Sequence, residues 1–231
     1  MASMAYPKLR AASAALTLLL AGFQTVGFAQ AVPAPQPVAP QAAQQPTASG
    51  PASAVIDRFD TTLLSVMKRA EQLGYEGRAK ELGPAIDQAF NIPLMTRIVV
   101  GAPWTEWSED QRNQIIDAFG KFVVATYARR FDGYGGEGFA NDGERPASSG
   151  GTLVTTRLTR PKDPAVTLTY LMRDSDHGPQ IVDVFLTGSI SELATRRSEF
   201  SAVLQQGGYQ ALLTALEKKT SAQANGAGDA E

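Results

Sequence analysis

The chain has 231 residues, 43% of them hydrophobic, with 21 Lys and Arg against 23 Asp and Glu, one histidine and no cysteine. Without cysteine there is no disulfide, no thiol nucleophile, no cysteine-bound metal and no acylation point for a lipoprotein anchor. The slightly acidic balance excludes the basic footprint of a nucleic-acid binder, and no Lys/Arg cluster offers a grip on anionic lipid headgroups.

The first 31 residues read as a cleaved export signal. Lys8 and Arg10 form a positive start, a largely apolar run follows from Ala11 to Val26, and two small-residue cleavage patterns come next, Gly27-Phe28-Ala29 and Ala29-Gln30-Ala31. The run is shorter and richer in alanine than a spanning anchor requires. These features place the product in a periplasm. Residues 32–53 then mix Pro33, Pro35, Pro37, Pro40, Pro46 and Pro51 with Ala, Gln, Ser and Gly, without charge or an apolar face. Such a segment is expected to be a disordered leader. Residues 221–231 are small and polar and read as a disordered tail, which leaves one domain over 54–220.

That domain opens with helices. Val55, Ile56, Phe59, Leu63, Met67 and Ala70 recur at helical spacing, with Gly74 as a stop. A weaker helix over Glu76 to Phe90 is expected to break near Gly83-Pro84. Asn91-Ile92-Pro93 reads as a cap with proline in the first turn of a short helix that Gly101 ends. Ser108 and Gln111 have capping-box spacing and start a long helix carrying Ile115, Phe119, Phe122 and Tyr127. Gly133 to Asn141 is glycine-rich, with room for a short irregular strand. Three alternating strands follow, Thr152–Arg160, Ala165–Arg173 and Gln180–Thr187, joined by short linkers of hairpin type. Helices over Ser191 to Gln206 and Tyr209 to Lys219 close the domain, with Gly207-Gly208 as the joint. The order specifies an α+β domain, with helices on one face of an antiparallel meander.

Catalytic signatures are scarce. His177 lies in a turn beside Gly178-Pro179, and no paired-histidine metal motif, Gly-x-Ser-x-Gly or phosphate-binding loop occurs. The sequence gives no reason to expect a metal, a cofactor or a catalytic residue. Asp183 is the one tempting carboxylate, because alternation puts it on the face of Ile181 and Phe185. It could serve as a general acid or base, but a buried carboxylate more commonly survives by pairing, and Arg196 or Arg197 is nearest in sequence. An Asp183–Arg197 ion pair is the structural expectation. Large apolar side chains are plentiful. Val166, Leu168, Tyr170 and Met172 alternate on one strand, and Val182, Val184 and Leu186 on the next. Met95, Val99, Trp104, Phe119, Phe122, Phe200 and Leu204 come from helices. Residue types alone leave open whether they fill a core or line a cavity.

A resemblance narrows the choice. The run Ile181-Val182-Asp183-Val184-Phe185-Leu186-Thr187-Gly188-Ser189-Ile190-Ser191, continued by Arg197-Ser198-Glu199-Phe200, Leu204, Gly207-Gly208-Tyr209, Leu212 and Leu216, resembles the closing segment of the MlaC family. Those are periplasmic phospholipid-binding proteins of retrograde lipid-transport and toluene-tolerance systems. Phe90-Asn91-Ile92-Pro93-Leu94-Met95, Val99-Val100-Gly101, Trp104, Gln111-Arg112, Phe119 and Tyr127 are similar to the family's central helical motif. The wording from Ile190 to Phe200 is nearest its hopanoid-associated branch, HpnM. The proline-rich leader and the glycine-rich stretch from Gly133 to Gly143 depart from the family pattern.

The resemblance implies a curved antiparallel sheet of about four strands, covered by several helices and forming an apolar cone similar to the nuclear-transport-factor fold. Lipid tails would lie between sheet and helices, against Met95, Val99, Trp104, Phe119, Phe122, Val154, Leu168, Tyr170, Val182, Val184, Leu186, Phe200 and Leu204. The implied partners are a phospholipid or hopanoid-related lipid and membrane-bound transport complexes, with the protein a monomer. Two alternatives stand beside this carrier: a cone-fold enzyme using Asp183, and an adaptor subunit that binds no lipid.

Overall fold

The computed structural model describes residues 49–187 and 189–226. The expected export signal, residues 32–48 of the proline-rich segment and residues 227–231 lie outside the described residues. Helix α1 spans Pro51–Lys68, so the fold starts inside the expected leader. Proline is compatible there because the first turn needs no N–H from it, and Ala52 and Ser53 are already buried. At the other end the last helix runs on to Ala224, past the expected tail boundary, and buries Gln223.

Helix α2 spans Ala70–Ala89 and contains one non-helical residue, Gly74, at φ 57° and ψ −175°. No break occurs at Pro84. Leu82 and Ile86 on either side of it are fully buried, and their packing holds the helix through the position. Arg78, also buried, donates from Nε to the Ala128 carbonyl at 2.8 Å and from Nη1 to the Ala70 carbonyl at 3.1 Å, tying neighbouring helix ends together. Helix α3, Ile92–Val100, starts on the expected cap, with Asn91 Oδ1 accepting from the Leu94 amide at 3.0 Å. A 3-10 turn over Ala102–Thr105 leads to helix α4, Glu109–Arg130, where Ser108 and Gln111 form the full reciprocal capping box.

The sheet is a sequential antiparallel meander of five strands: β1 Gly138–Pro146, β2 Thr152–Thr159, β3 Val166–Ser175, β4 Gly178–Leu186 and β5 Ile190–Ser191. The two-residue β5 adds a strand to the expected number. Rows of directly opposed residues define its inner face, one of them Val154–Tyr170–Val184 and the next Thr156–Leu168–Leu186. A third row is Thr152–Met172–Ile181. The pairing jumps from Leu171↔Asp183 to Met172↔Ile181, which makes Val182 the extra residue of a β-bulge. This corrects the expected face Val182/Val184/Leu186. Ile181 joins Val184 and Leu186 against the helices, whereas Val182 is buried but stands outside the main apolar cluster.

Helix α5 closes the fold from Glu192 to Ala224, bending at Gly207 and Gly208 as their adjacency suggests. Gly208 has φ 58° and ψ −145°, a conformation only glycine adopts cheaply. Glu199 before the bend accepts from Arg196 at 2.9 Å and pairs with Lys219 beyond it, fixing the angle between the two halves. Burial pushes the Glu199 carboxyl up, but the hydrogen bonds from Lys219 and Arg196 outweigh it and leave the group below its ordinary range. Together the elements make an α+β fold with a bulged sheet, and its core lies between the inner face and the helices.

Candidate functional site

The inner face is where the expected binding residues meet. Val154, Leu168, Tyr170 and Val184 from the sheet share one apolar cluster with Met95, Val99, Phe119, Phe122 and Phe200 from the helices, each less than 10% exposed. Phe200 packs edge-on to Phe119 and Phe122 at ring distances of 6.5 and 6.2 Å. Trp104, Leu186 and Leu204 are only half-buried and pack on the margin of that cluster. Trp104 lies over Arg112 and beside Trp107, which in turn meets Tyr209 at 5.4 Å. The structure therefore gathers most of the expected residues but packs them against one another.

An open cleft of about 900 Å³ lies elsewhere, among α2, α3, α4, the end of α5 and the β3–β4 turn. Apolar Tyr75, Phe90, Ile92 and Val124 wall it, with Lys121 and the exposed His177 at its side. None of the expected lining residues borders it. Phe90 and Ile92 belong both to the cleft wall and to the core cluster, so the two regions share a partition. Behind Phe90, the rings of Phe59 and Tyr127 complete an edge-to-face trio at 5.2 to 5.6 Å.

Asp183 does not pair with Arg197. Its Oδ2 accepts from the Ser191 hydroxyl at 2.6 Å, and its Oδ1 accepts from the Val184 amide at 2.7 Å and the Leu193 amide at 3.1 Å. The guanidinium of Arg197 instead lies over Gly101, where an added Cβ would sit 3.3 Å from Nη2. The reason is geometric. The short β5 turns the chain so that the amino end of α5 arrives directly over Asp183, and helix amide donors and the positive helix end satisfy a carboxylate without a cation. With both oxygens engaged, Asp183 is a structural capping group.

A second carboxylate, which motif reading passes over, is the more unusual one. Asp60 of α1 is 5% exposed, and its Oδ1 accepts no hydrogen bond from the described residues. Burial, reinforced by the nearby charge of Asp57, pushes its carboxyl up to about 7. Its charge acts on the phenols of Tyr127 and Tyr170, both raised chiefly by burial, and Tyr170 also neighbours Thr156. The Thr156 and Ser53 hydroxyl oxygens are likewise buried without a partner among the described residues. The signal was present in the periodicity. Asp60 stands on the apolar stripe at i+4 from Ile56 and i−3 from Leu63, where a charge interrupts the pattern.

A bulged antiparallel meander with helices over an apolar inner face, and an open cleft sharing its wall with that core, makes up this α+β domain. The chain belongs to the MlaC protein family, whose model matches residues 57–218. Among solved structures it is similar to a phospholipid-binding protein from Ralstonia solanacearum, determined in complex with a phospholipid at 1.53 Å resolution. The two share 20% identity and superpose with a TM-score of 0.66 over 75% of this chain and 98% of that one. At that identity the likeness is one of fold. Comparison with curated proteins finds no match.

Proposed function

We propose that the protein is a periplasmic lipid carrier, taking the acyl or hopanoid-type tails of a lipid between the sheet and helices and passing it between membrane-bound transport complexes. Membership of the MlaC family is the observation that carries this reading. The apolar rows of the inner face and the phospholipid held by the Ralstonia relative support it. Each methylene sheathed is worth about 0.8 kcal/mol, so a few turns of acyl chain suffice to lower the barrier to crossing water. A tail entering at the cleft would meet Phe90 and Ile92, the partition that the cleft shares with the core. The export signal and the wording from Ile190 to Phe200 support a periplasmic, hopanoid-associated setting, and a monomer is the form that diffuses most readily.

Native mass spectrometry of the purified protein tests the proposal. The expected result is co-purifying lipid of defined mass. Protein that emerges empty and, once delipidated, takes up no phospholipid from vesicles would sink it. The close packing of Phe119, Phe122 and Phe200 supports a second reading, a non-carrying adaptor subunit, which that negative result would favour.

A further inference from the structure

We propose that Asp60 is a proton-operated latch: neutral, it lets α1 close on the inner face of the sheet, and ionised, it loosens that seam and opens the interior. As a device for loading and release the latch rests on the carrier reading above; as a property of the fold it does not.

Apolar and polar contacts together hold α1 down. Ile56, Phe59 and Leu63 supply the apolar contact, each at most 2% exposed. Two polar contacts tie the helix to β1: the Ser53 amide donates to Glu144 Oε2 at 2.7 Å, and Asn141 Nδ2 donates to Asp57 Oδ1 at 2.7 Å. Between these points the seam carries three buried oxygens without partners among the described residues, Ser53 Oγ, Asp60 Oδ1 and Thr156 Oγ1. Buried polar atoms left in that state mark a place that is not optimised for permanent closure.

None of the described residues donates a hydrogen bond to Asp60 Oδ1, and no cation is among the groups acting on its carboxyl. Asp57, on its own helix, is like-charged and raises its pKa. The charge of Asp60 raises the buried phenols of Tyr127 on α4 and Tyr170 on β3 further, while the Thr156 hydroxyl on β2 acts on Tyr170 in the opposite sense. Arg130 acts electrostatically on Tyr127 and is itself engaged by Glu192 at 3.4 Å. A neutral acid is tolerable in such a seam, whereas a carboxylate gains by reaching water. The chain permits that motion. Arg69, at φ −113° and ψ 14°, ends α1, and Gly74 a turn later is non-helical, so the helix ends at a joint rather than in a rigid continuation.

Linkage fixes the direction of the pH effect. The closed state holds the Asp60 proton up to about pH 7, whereas an open, hydrated state releases it near the ordinary 3.8. Closure is therefore strongest below 3.8 and is lost progressively as pH rises towards 7, with a limit of about tenfold per pH unit for one proton.

Amide hydrogen exchange on the lipid-free full chain, corrected for intrinsic rates, tests this between pH 5 and pH 8. Opening of α1 in the wild type should rise at least tenfold, with no such change in Asp60→Asn, which is neutral throughout. Identical pH profiles for the two proteins would overturn the latch. Should Asp60→Asn fail to fold, the infrared carbonyl band of a protonated carboxylic acid in the wild type decides: a band surviving to pH 6.5 supports the latch, and its absence at pH 5.5 overturns it. Capture of a phosphatidylcholine with a fluorescent tail is measured separately. Lipid capture with pH-independent α1 exchange refutes the latch and leaves the carrier reading intact. pH-dependent exchange without capture at any pH does the reverse.

Discussion

The Ser191 hydroxyl donates to Asp183 Oδ2 at 2.6 Å while the same oxygen accepts from the Ala194 amide at 2.8 Å. One serine thus caps α5 and fastens its amino end to β4. Replacing Asp183 with alanine strips that hydroxyl and the Leu193 amide of their acceptor. The expected cost is about 3 kcal/mol, since hydrogen bonds to a buried charge are the expensive ones to leave unmade. Ser191→Ala, which removes the cap but leaves the aspartate its amides, should cost about 1 kcal/mol. Urea unfolding midpoints at constant slope check both. A cost for Asp183→Ala no larger than that for Ser191→Ala contradicts the tie.

Thr156 should respond in the opposite sense. Its hydroxyl is fully buried and meets no partner at hydrogen-bond distance among the described residues, only a weaker interaction with the Tyr170 phenol, so Thr156→Val exchanges a poorly satisfied oxygen for a methyl group of similar size. A gain of about 1 kcal/mol in unfolding free energy is expected. A loss of that size would show that the oxygen has a partner after all.

Two glycines separate backbone strain from crowding. Gly208 has a positive φ, but a Cβ there would meet nothing within 4 Å, so Gly208→Ala should cost only the conformational penalty of about 2 kcal/mol. At Gly151 the φ is also positive and a Cβ would fall 2.2 Å from the Met172 carbonyl oxygen, so the start of β2 must move. Gly151→Ala should cost about twice as much as Gly208→Ala. Thermal denaturation of the pair settles the order.

Acid and neutral pH act on different groups. The depressed carboxyl of Glu199 adds stability that is present above its ordinary 4.5 and is lost as pH falls through the lower folded value. Glu199→Gln should therefore lower stability by a constant amount above pH 5 and flatten the acid side, so that its profile converges with the wild type as pH falls. The raised Asp60 has the reverse sign, and its contribution disappears as pH climbs from 3.8 towards 7. A profile of unfolding free energy against pH for the wild type and both variants separates the two.

On the carrier reading, Leu168→Trp enlarges a side chain in the row Thr156–Leu168–Leu186 and should reduce phospholipid capture at least fivefold while the domain remains folded. Overpacking of this kind costs about 1–3 kcal/mol. Unchanged capture would place the tails away from that row.

Much of the framework was legible in the sequence because local rules agreed there. The caps at Asn91 and Ser108, the paired glycines of α5 and the three alternating strands all stand where their spacing put them. Strand β1 was legible only as room for a short irregular strand within Gly133 to Asn141, and its bounds were not. Its residues Gly138 to Pro146 carry no alternation, and pairing with β2, across an irregularity between Asn141 and Gly143, makes it a strand. Val182 misled for the opposite reason, since the run Val182, Val184, Leu186 alternates cleanly and no residue type announces a bulge. The neighbour of Asp183 was predictable as a need but not as an identity, because only the turn at β5 decides whether a guanidinium or a helix end reaches it. Asp60 needed a stricter count of the apolar stripe on α1.

The bulge has one further effect. Where Val182 is extruded, Ile181 forms an isolated parallel bridge with Phe90, and its carbonyl accepts the Asn91 amide at 2.9 Å. The connection between α2 and α3 is thereby stitched into β4, and Gln180 Nε2 adds contacts to the carbonyls of Gln88 and Phe90. Helical and sheet halves joined in mid-chain cannot melt one after the other without breaking that stitch. The Asn91 amide proton should accordingly exchange with solvent as slowly as those at the centre of β3, which would make it a single-site reporter of whether the domain unfolds in one cooperative step.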